Sequence, residues 1–315
     1  MANQFGIPMT SYLFLNDGKG KFDMADYHII QLSNIGMVTS ARFADINNDG
    51  WPDLIVTGEW MPVKVFINHN GKFTESDIPQ SSGLWQTIEV ADVNGDGYPD
   101  ILAGNWGHNS KLWAGKDGPC KLYVKDFDNN GSIEQIMCYT IDGKEYPFLA
   151  KDELERSLPV LKKAYLQYSD VAGKTVQYIF YDLFKDYTEL KAETLSSSCF
   201  INDGKGNFER MDLPRELQMS PIMGFAPYDS LSHSFLAVGN FYGVTPYEGR
   251  YDALLPTIFS FNNGKLKTDQ TVNMPSVTGE MRDAKWLKTA DGNKLLVIAR
   301  NNDSLIFLKP MVNKK

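Results

Sequence analysis

The sequence predicts an all-β fold: a β-propeller of four-stranded antiparallel blades carrying a small helical insertion. Three observations predict it. An acidic loop between two apolar runs occurs twice, 47 residues apart, counted from Asp45 to Asp92. A Gly-Lys hairpin phrase alternates with those loops, and a glycine followed by a polar residue and an aromatic one stands between the two hairpins. Two hairpins make a four-stranded unit of about 45 residues, the spacing of a propeller blade.

The first acidic loop runs Asp45-Ile46-Asn47-Asn48-Asp49-Gly50-Trp51-Pro52-Asp53. Oxygen side chains stand at positions 1, 3, 5 and 9: Asp45, Asn47, Asp49 and Asp53. Gly50 falls at position 6, where the tight turn needs a residue free of a Cβ. The alternation aims successive oxygens into one concavity, and the carbonyl of Trp51 at position 7 adds another. A short acidic loop of hard oxygens suits Ca2+, which takes about six to eight such ligands, better than zinc or copper. The bidentate Glu and flanking helices of an EF-hand are missing, and the neighbouring apolar runs read as strands instead. The second loop repeats the pattern with Asp92, Asn94, Asp96, the carbonyl of Tyr98, and Asp100.

The hairpin phrase first appears at 11–25, where an alternating strand meets Asn16-Asp17-Gly18-Lys19-Gly20 and a strand opened by Phe22. It returns around Asn68 to Phe73 and Asn202 to Phe208, and in looser form around Asn262 to Leu266. Between hairpins come Gly58-Glu59-Trp60, Gly104-Asn105-Trp106 and Gly239-Asn240-Phe241. The blade ending at Gly239 has Pro227-Tyr228-Asp229-Ser230-Leu231-Ser232 where an acidic loop would stand, and 294–308 keeps the strand rhythm without one.

Gly104 and Gly239 lie 135 residues apart, too far for one blade. The excess holds a third acidic loop: Asp126, Asp128, Asn130, Ser132 at the carbonyl position, and Glu134 in place of the last Asp. It follows Asp92 by 34 residues, off the blade spacing. Two Ca2+ loops are thus expected, with the third as a further candidate. After it, 151–163 and 176–184 read as helical, broken by Pro159 and Gly173. The whole chain, 1–315, is read as one propeller domain with 151–195 as the helical insertion. Its charges (Asp152, Glu153, Glu155, Lys162, Lys163) read as a solvated face.

Composition narrows the function. The chain has 43% hydrophobic residues and a net charge of −8, which describes a folded acidic protein. That charge argues against nucleic acid, whose binders present a basic face. Three Ca2+ ions would bring −8 to about −2, so part of the acidity can serve metal. No apolar run reaches the roughly 20 residues of a membrane helix, and residues 1–5 are not read as a signal peptide. Three cysteines are neither a disulfide framework nor a zinc site. Cys120 and Cys138 flank the third loop almost symmetrically, so on a hairpin they are either a disulfide or two buried thiols.

Taken together, these phrases resemble the FG-GAP or VCBS repeat family, which includes the propeller of integrin α subunits. They are most similar to a bacterial branch in which such propellers accompany an ASPIC/UnbV domain, common in secreted proteins of Bacteroidetes type. The residues that carry this are Gly58-Glu59-Trp60-Met61-Pro62, 103–111 around Asn105-Trp106-Gly107-His108-Asn109, Gly143-Lys144-Glu145-Tyr146-Pro147, Gly239-Asn240-Phe241-Tyr242-Gly243 and Arg250-Tyr251-Asp252-Ala253. The resemblance implies a calcium-loaded propeller that is extracellular, periplasmic or on the outer-membrane surface, where millimolar calcium fills loops of this class. The sequence departs from the branch in lacking the ASPIC/UnbV domain and in showing about four and a half blades. It is therefore read as part of a longer protein or assembly, or as hiding a blade in its insertion.

In the integrin-like arrangement the calcium loops and the loops after the second strand lie on opposite faces. Glu59, Trp60, Asn105, Trp106, His108, Asn109, Asn240, Phe241 and Tyr242 would then form a ligand face suited to sugars or peptides, or else wedge between blades. Catalysis has little support. The histidines (His28, His69, His108, His233) fall on different phrases, without a metalloprotease or nucleophile-elbow pattern. The expected function is a non-catalytic calcium-binding module docking protein or glycan at a cell surface. The alternative is a secreted calcium-dependent lyase or hydrolase on the same scaffold.

Overall fold

A computed structural model describes residues 5–25, 32–112, 114, 117–229, 233–244, 249–269 and 274–309. Residues 1–4, His28 and residues 230–232 of the loopless blade lie outside them. The fold is mostly β, in several four-stranded antiparallel sheets, with a small helical insertion.

The chain opens with a two-stranded hairpin, β1 (Phe14–Asn16) and β2 (Phe22–Met24). The first blade follows in simple order: β3 (Met37–Ala44), β4 (Asp53–Met61), β5 (Lys64–His69) and β6 (Lys72–Asp77), with β7 (Gly83–Leu84) added to the end of β4. The first acidic loop joins β3 to β4, and the Gly-Lys turn joins β5 to β6. The second blade begins with β8 (Thr87–Ala91) and β9 (Asp100–Gly104) around the second acidic loop.

Here the alternation breaks. The chain leaves the blade and builds a separate sheet from β10 (Cys120–Lys125), β11 (Glu134–Ile141) and β12 (Lys144–Pro147). It then forms α1 (Lys151–Ser157), α2 (Leu161–Ala164) and α3 (Val176–Phe180), and returns as β13 (Thr188–Ala192) beside β10. Pro159 separates α1 from α2, as its missing N–H requires. The helical stretch expected over 151–195 therefore ends early, and 188–192 is a strand. The insertion proper is a four-stranded sheet with a helical cap, and the third acidic loop is the β10–β11 turn of that sheet.

Only then does the second blade finish, with β14 (Ser198–Asn202) pairing β9 and β15 (Phe208–Asp212) pairing β14. The third blade is β16 (Ile222–Asp229), β17 (Ser234–Gly239), β18 (Thr257–Asn262) and β19 (Lys265–Thr268). The last sheet has three described strands: β20 (Met281–Lys288), β21 (Lys294–Arg300) and β22 (Ile306–Leu308).

First strands of successive blades are neighbours: β3 beside β8, β8 beside β16, and β16 beside β20. The cores lie between sheets, as apolar faces demand. Ile55, Val65, Trp85, Ile88, Ile101 and Phe200 fill the space between the first and second blades. Leu102, Cys199, Phe225, Phe235 and Phe259 fill the next gap, and Val238, Met281, Ala284 and Ile298 the last. Cys120 and Cys138 are buried thiols with no disulfide between them, and burial pushes the Cys138 thiol up.

The glycine of each Gly-polar-aromatic marker has a steric reason. A Cβ on Gly104 would stand 2.6 Å from the Ile222 carbonyl oxygen, and one on Gly239 would stand 2.0 Å from that of Pro221. The strand end must pass close to the backbone entering the next element, and only glycine permits that approach.

Candidate metal loops and ligand face

The first two acidic loops share one wiring. Asp45 caps its own loop: its Oδ1 accepts the Asp49 N–H at 3.0 Å and its Oδ2 accepts the Gly50 N–H at 2.8 Å. Asp92 does the same for Asp96 at 3.2 Å and Gly97 at 3.0 Å. Asn47 and Asn94 accept the N–H of the residue two ahead, and each donates its carboxamide to that Asp, at 3.0 and 2.8 Å. Gly50 and Gly97 take φ of 88° and 91°, the left-handed region that position 6 requires. The Trp51 and Tyr98 N–H groups bond Asp49 and Asp96, both at 2.9 Å.

The last Asp of each loop faces inward. Asp53 and Asp100 are fully buried and act as latches. Asp53 accepts the Ile46 N–H at 3.0 Å and the Asn68 N–H at 2.8 Å. Asp100 accepts those of Val93 at 2.9 Å and Asn202 at 2.8 Å. Each latch thus ties the loop to the Gly-Lys turn of its own blade. Burial pushes the Asp100 carboxyl up to about 6, against the pull of its backbone donors, and neighbouring Asp96 adds to the rise. Asp53 is raised for the same reasons, with Asp49 and Asp45 as its like-charged neighbours.

In the third loop Asp126 caps Asn130 at 3.0 Å and Gly131 at 2.8 Å, Ser132 donates its N–H to Asn130, and buried Glu134 accepts the Phe127 N–H at 2.8 Å. The longer Glu does here what Asp53 and Asp100 do. Asp126, Asp128 and Glu134 bring carboxylate oxygens within 4.8 Å of one another, and Oδ1 of Asp128 is buried with no hydrogen-bond partner. Burial raises the Glu134 carboxyl, and Asp128 and Asp126 push it further. An oxygen-only donor set with an orphaned, buried carboxylate oxygen fits a hard divalent cation, which would relieve that repulsion.

The markers after the second strands lie at the ends of β4, β9 and β17 away from the acidic loops. The structure brings part of the predicted ligand face together. Trp106 stacks against Phe241 at 5.1 Å and Tyr251 at 5.6 Å between ring centroids. Trp60 instead packs under the inserted sheet with Leu122, Val124 and Ala192, and is 5% exposed. Asn105 and Asn240 are buried staples. Asn105 donates to the Thr194 and Ser196 carbonyls and accepts the Leu84 and Trp106 N–H groups. Asn240 joins Leu254 and Gly279 in the same way. Glu59 accepts from Gln86 at 2.9 Å, and burial raises its carboxyl. His108 and Asn109 are exposed, His108 contacting the Ser196 hydroxyl at 2.8 Å.

Two polar clusters gather partners that no motif joins in the sequence. Near Phe241 and Tyr242, an open depression of about 590 Å³ is also lined by Glu280, Arg282, Asn301 and Asp303. There the buried Glu280 carboxylate holds Arg282, the Asn301 carboxamide at 2.6 Å and the Tyr242 N–H at 3.1 Å, while the Arg282 guanidinium lies over the Phe241 ring. On the inserted sheet, Glu145 receives Lys121, Tyr123 and Gln177. Both clusters join residues distant in sequence, so only the fold reveals them.

Antiparallel sheets packed in succession, the first two carrying acidic turns, define a β-propeller-like class of binding module. Residues 5–56 and 45–103 match the FG-GAP-like repeat. Each matched segment takes in a Gly-Lys hairpin and an acidic hairpin, so the repeat joins the outer half of one blade to the inner half of the next. No curated protein matches the chain significantly.

Proposed function

We propose that this protein is a calcium-loaded, non-catalytic propeller-like module that docks a glycan or a protein outside the cytoplasm, in the manner of the ASPIC/UnbV-associated repeat proteins. The observation that carries the calcium half is the common wiring of three loops. In each, a first Asp caps the turn, oxygens follow at alternate positions, and a buried carboxylate closes the far side. Ca2+ is the cation whose size and oxygen preference match such loops.

The docking half is supported by the depression beside Phe241. An aromatic ring under a guanidinium, flanked by amides and a carboxylate, offers stacking and polar partners to a sugar or a peptide segment. The inserted sheet covers Trp60 at the other end of this face, which directs docking to the third and fourth sheets. Among the described residues no helix is long and apolar enough to cross a membrane.

Calcium-dependent thermal unfolding, with metal analysis of the purified chain, tests the reading. Two or three calcium ions per chain and a large fall in Tm on chelation are expected. Metal-free protein with an unchanged Tm would sink it. Glycan and peptide arrays run with wild type and Arg282→Ala then test the docking site. Binding without turnover, lost in a variant that still unfolds cooperatively, is the expected result.

A further inference from the structure

The acidic loops at 45–53 and 92–100 are wired to one another as well as to their own blades. The Asn202 carboxamide donates to the Ile46 carbonyl of the first loop at 2.7 Å and to the Pro99 carbonyl of the second at 3.0 Å. This relay reaches the buried end of both loops. The Ile46 N–H bonds Asp53 at 3.0 Å, and the Asn202 N–H bonds Asp100 at 2.8 Å. The last carboxylates of the two loops are thus joined through Ile46 and Asn202. A second link lies among exposed residues: the Asn48 carboxamide donates to the Gly97 carbonyl at 3.2 Å. Gly97 is the turn residue whose own N–H bonds Asp92 at 3.0 Å. The Tyr98 ring lies against Gly204 in the turn that follows Asn202, where an added Cβ would stand 2.5 Å from it.

These links are particular to this pair. Asn68 has the place of Asn202 in the first blade, and its carboxamide donates to Pro52 of its own loop. The third loop keeps its hydrogen bonds within its own hairpin. Among the described residues none of them reaches 45–53 or 92–100.

We propose, resting on the calcium reading above, that the loops at 45–53 and 92–100 fill cooperatively through Asn48 and Asn202, while the third loop fills independently. Calcium gathers the oxygens of a loop around itself and so fixes its backbone. With the first loop fixed, the Ile46 carbonyl and the Asn48 carboxamide are held where Asn202 and Gly97 meet them. The second loop then loses less conformational freedom when it fills. A first ligand that orders what the second needs gives positive coupling, and linkage makes the effect equal in both directions. Charge acts in the opposite sense. Each loop carries three carboxylates (Asp45, Asp49 and Asp53; Asp92, Asp96 and Asp100), and a cation held by one set weakens the attraction of the other for a second cation. Positive cooperativity between these loops therefore belongs to the hydrogen bonds and not to the charges.

The turn glycines report each loop separately, because the N–H groups of Gly50, Gly97 and Gly131 bond the first Asp of their own loops. The test follows these three amides by NMR while calcium chloride is titrated into the full chain, labelled at glycine nitrogen and freed of metal. Gly50 and Gly97 should move over the same calcium range with a Hill coefficient of about 1.4 or more, the value that about fivefold coupling of two equal sites gives. Gly131 should follow a simple hyperbola. Asn48→Gly keeps the left-handed backbone at residue 48, φ 58°, and removes the donor. It should bring the coefficient of the pair down towards that of independent sites, and an unaltered Gly131 titration shows that the variant is folded. Three results overturn the coupling and leave the calcium reading standing. They are separate hyperbolic titrations of Gly50 and Gly97, a coefficient that Asn48→Gly leaves unchanged, and Gly131 moving in step with the other two. Glycine amides that calcium does not move would overturn the calcium reading, and the coupling with it.

Discussion

Asn202 donates its backbone N–H to Oδ1 of Asp100 at 2.8 Å, across 102 residues of sequence that include a whole inserted sheet. Its carboxamide also reaches the Pro99 carbonyl at 3.0 Å and, in the neighbouring blade, that of Ile46 at 2.7 Å. One side chain thus closes the second blade over its insertion and pins it to the first.

Asn202→Ala should therefore be costly. It strands two carbonyls in a place where Asn202 itself is 1% exposed, and it frees the Gly204 N–H of the turn. A buried polar group left without its partner costs about 1–3 kcal/mol, so a loss of roughly 2–4 kcal/mol is expected. Urea unfolding at fixed calcium measures it. A loss below about 0.5 kcal/mol, the range of ordinary surface substitutions, would refute the pinning role.

The blades were legible because their signals are local. Asp45, Asp49 and Gly50 announce a turn with no help from the rest of the chain, and Asn68-His69-Asn70-Gly71 announces another. The inserted sheet was not legible as a sheet. Its strand β13 pairs with β10 across about 70 residues, and the helices between them drew the reading towards a helical insertion. The acidic loops are legible from spacing, but not the latch to Asn68 and Asn202, which is set by tertiary contact. Asn105 and Trp60 looked like ligand residues because a polar side chain beside an aromatic ring is the same in either role. Only the carbonyls of Thr194 and Ser196, 89 and 91 residues away, show that Asn105 is occupied.

Gly104→Ala should destabilise the fold although its φ is ordinary. The added Cβ would meet the Ile222 carbonyl oxygen at 2.6 Å and Cγ2 of Thr87 at 2.8 Å, in the seam between the second and third blades. The backbone cannot yield without moving β16, so a loss of about 1–3 kcal/mol or more is expected, as for other overpacked sites. Gly50→Ala is the comparison. Its Cβ meets nothing within 4 Å, but its φ of 88° strains any side chain, so its cost should be local and about 1 kcal/mol. Thermal unfolding of the two variants separates steric from conformational strain.

The inserted sheet should have its own acid limb. Burial alone would raise the Glu145 carboxyl, but the hydrogen bonds from Lys121, Tyr123 and Gln177, together with the Lys121 charge, outweigh it and hold it below the ordinary 4.5. A carboxyl depressed in the folded state binds its proton more weakly there than in the unfolded chain. Its contribution is therefore complete above about pH 4.5 and is lost as pH falls through the lower folded value. Glu145→Gln should remove about 1–3 kcal/mol at neutral pH and flatten that limb. Amide exchange at 120–125 and 188–192, followed from about pH 6 downwards, reads it locally. An acid limb unchanged in the variant would assign the loss to other carboxyls.

Asp128→Asn should shift stability in opposite directions with and without calcium. In the metal-free chain, Asp126, Asp128 and Glu134 hold like charges within 4.8 Å, and Oδ1 of Asp128 has no donor to offset its burial. Removing that charge relieves repulsion, so Tm in chelator should rise by about 1–3 °C, corresponding to some tenths of a kcal/mol up to about 1. With calcium present the same change removes an anionic ligand. The bound calcium per chain should fall by one, and the gain in Tm on adding calcium should shrink, because stabilisation by a ligand follows its affinity for the folded state. A merely structural Asp128 would give one sign in both buffers. A metal count unchanged by the substitution would show that the third loop is an acidic turn, leaving calcium to the loops at 45–53 and 92–100.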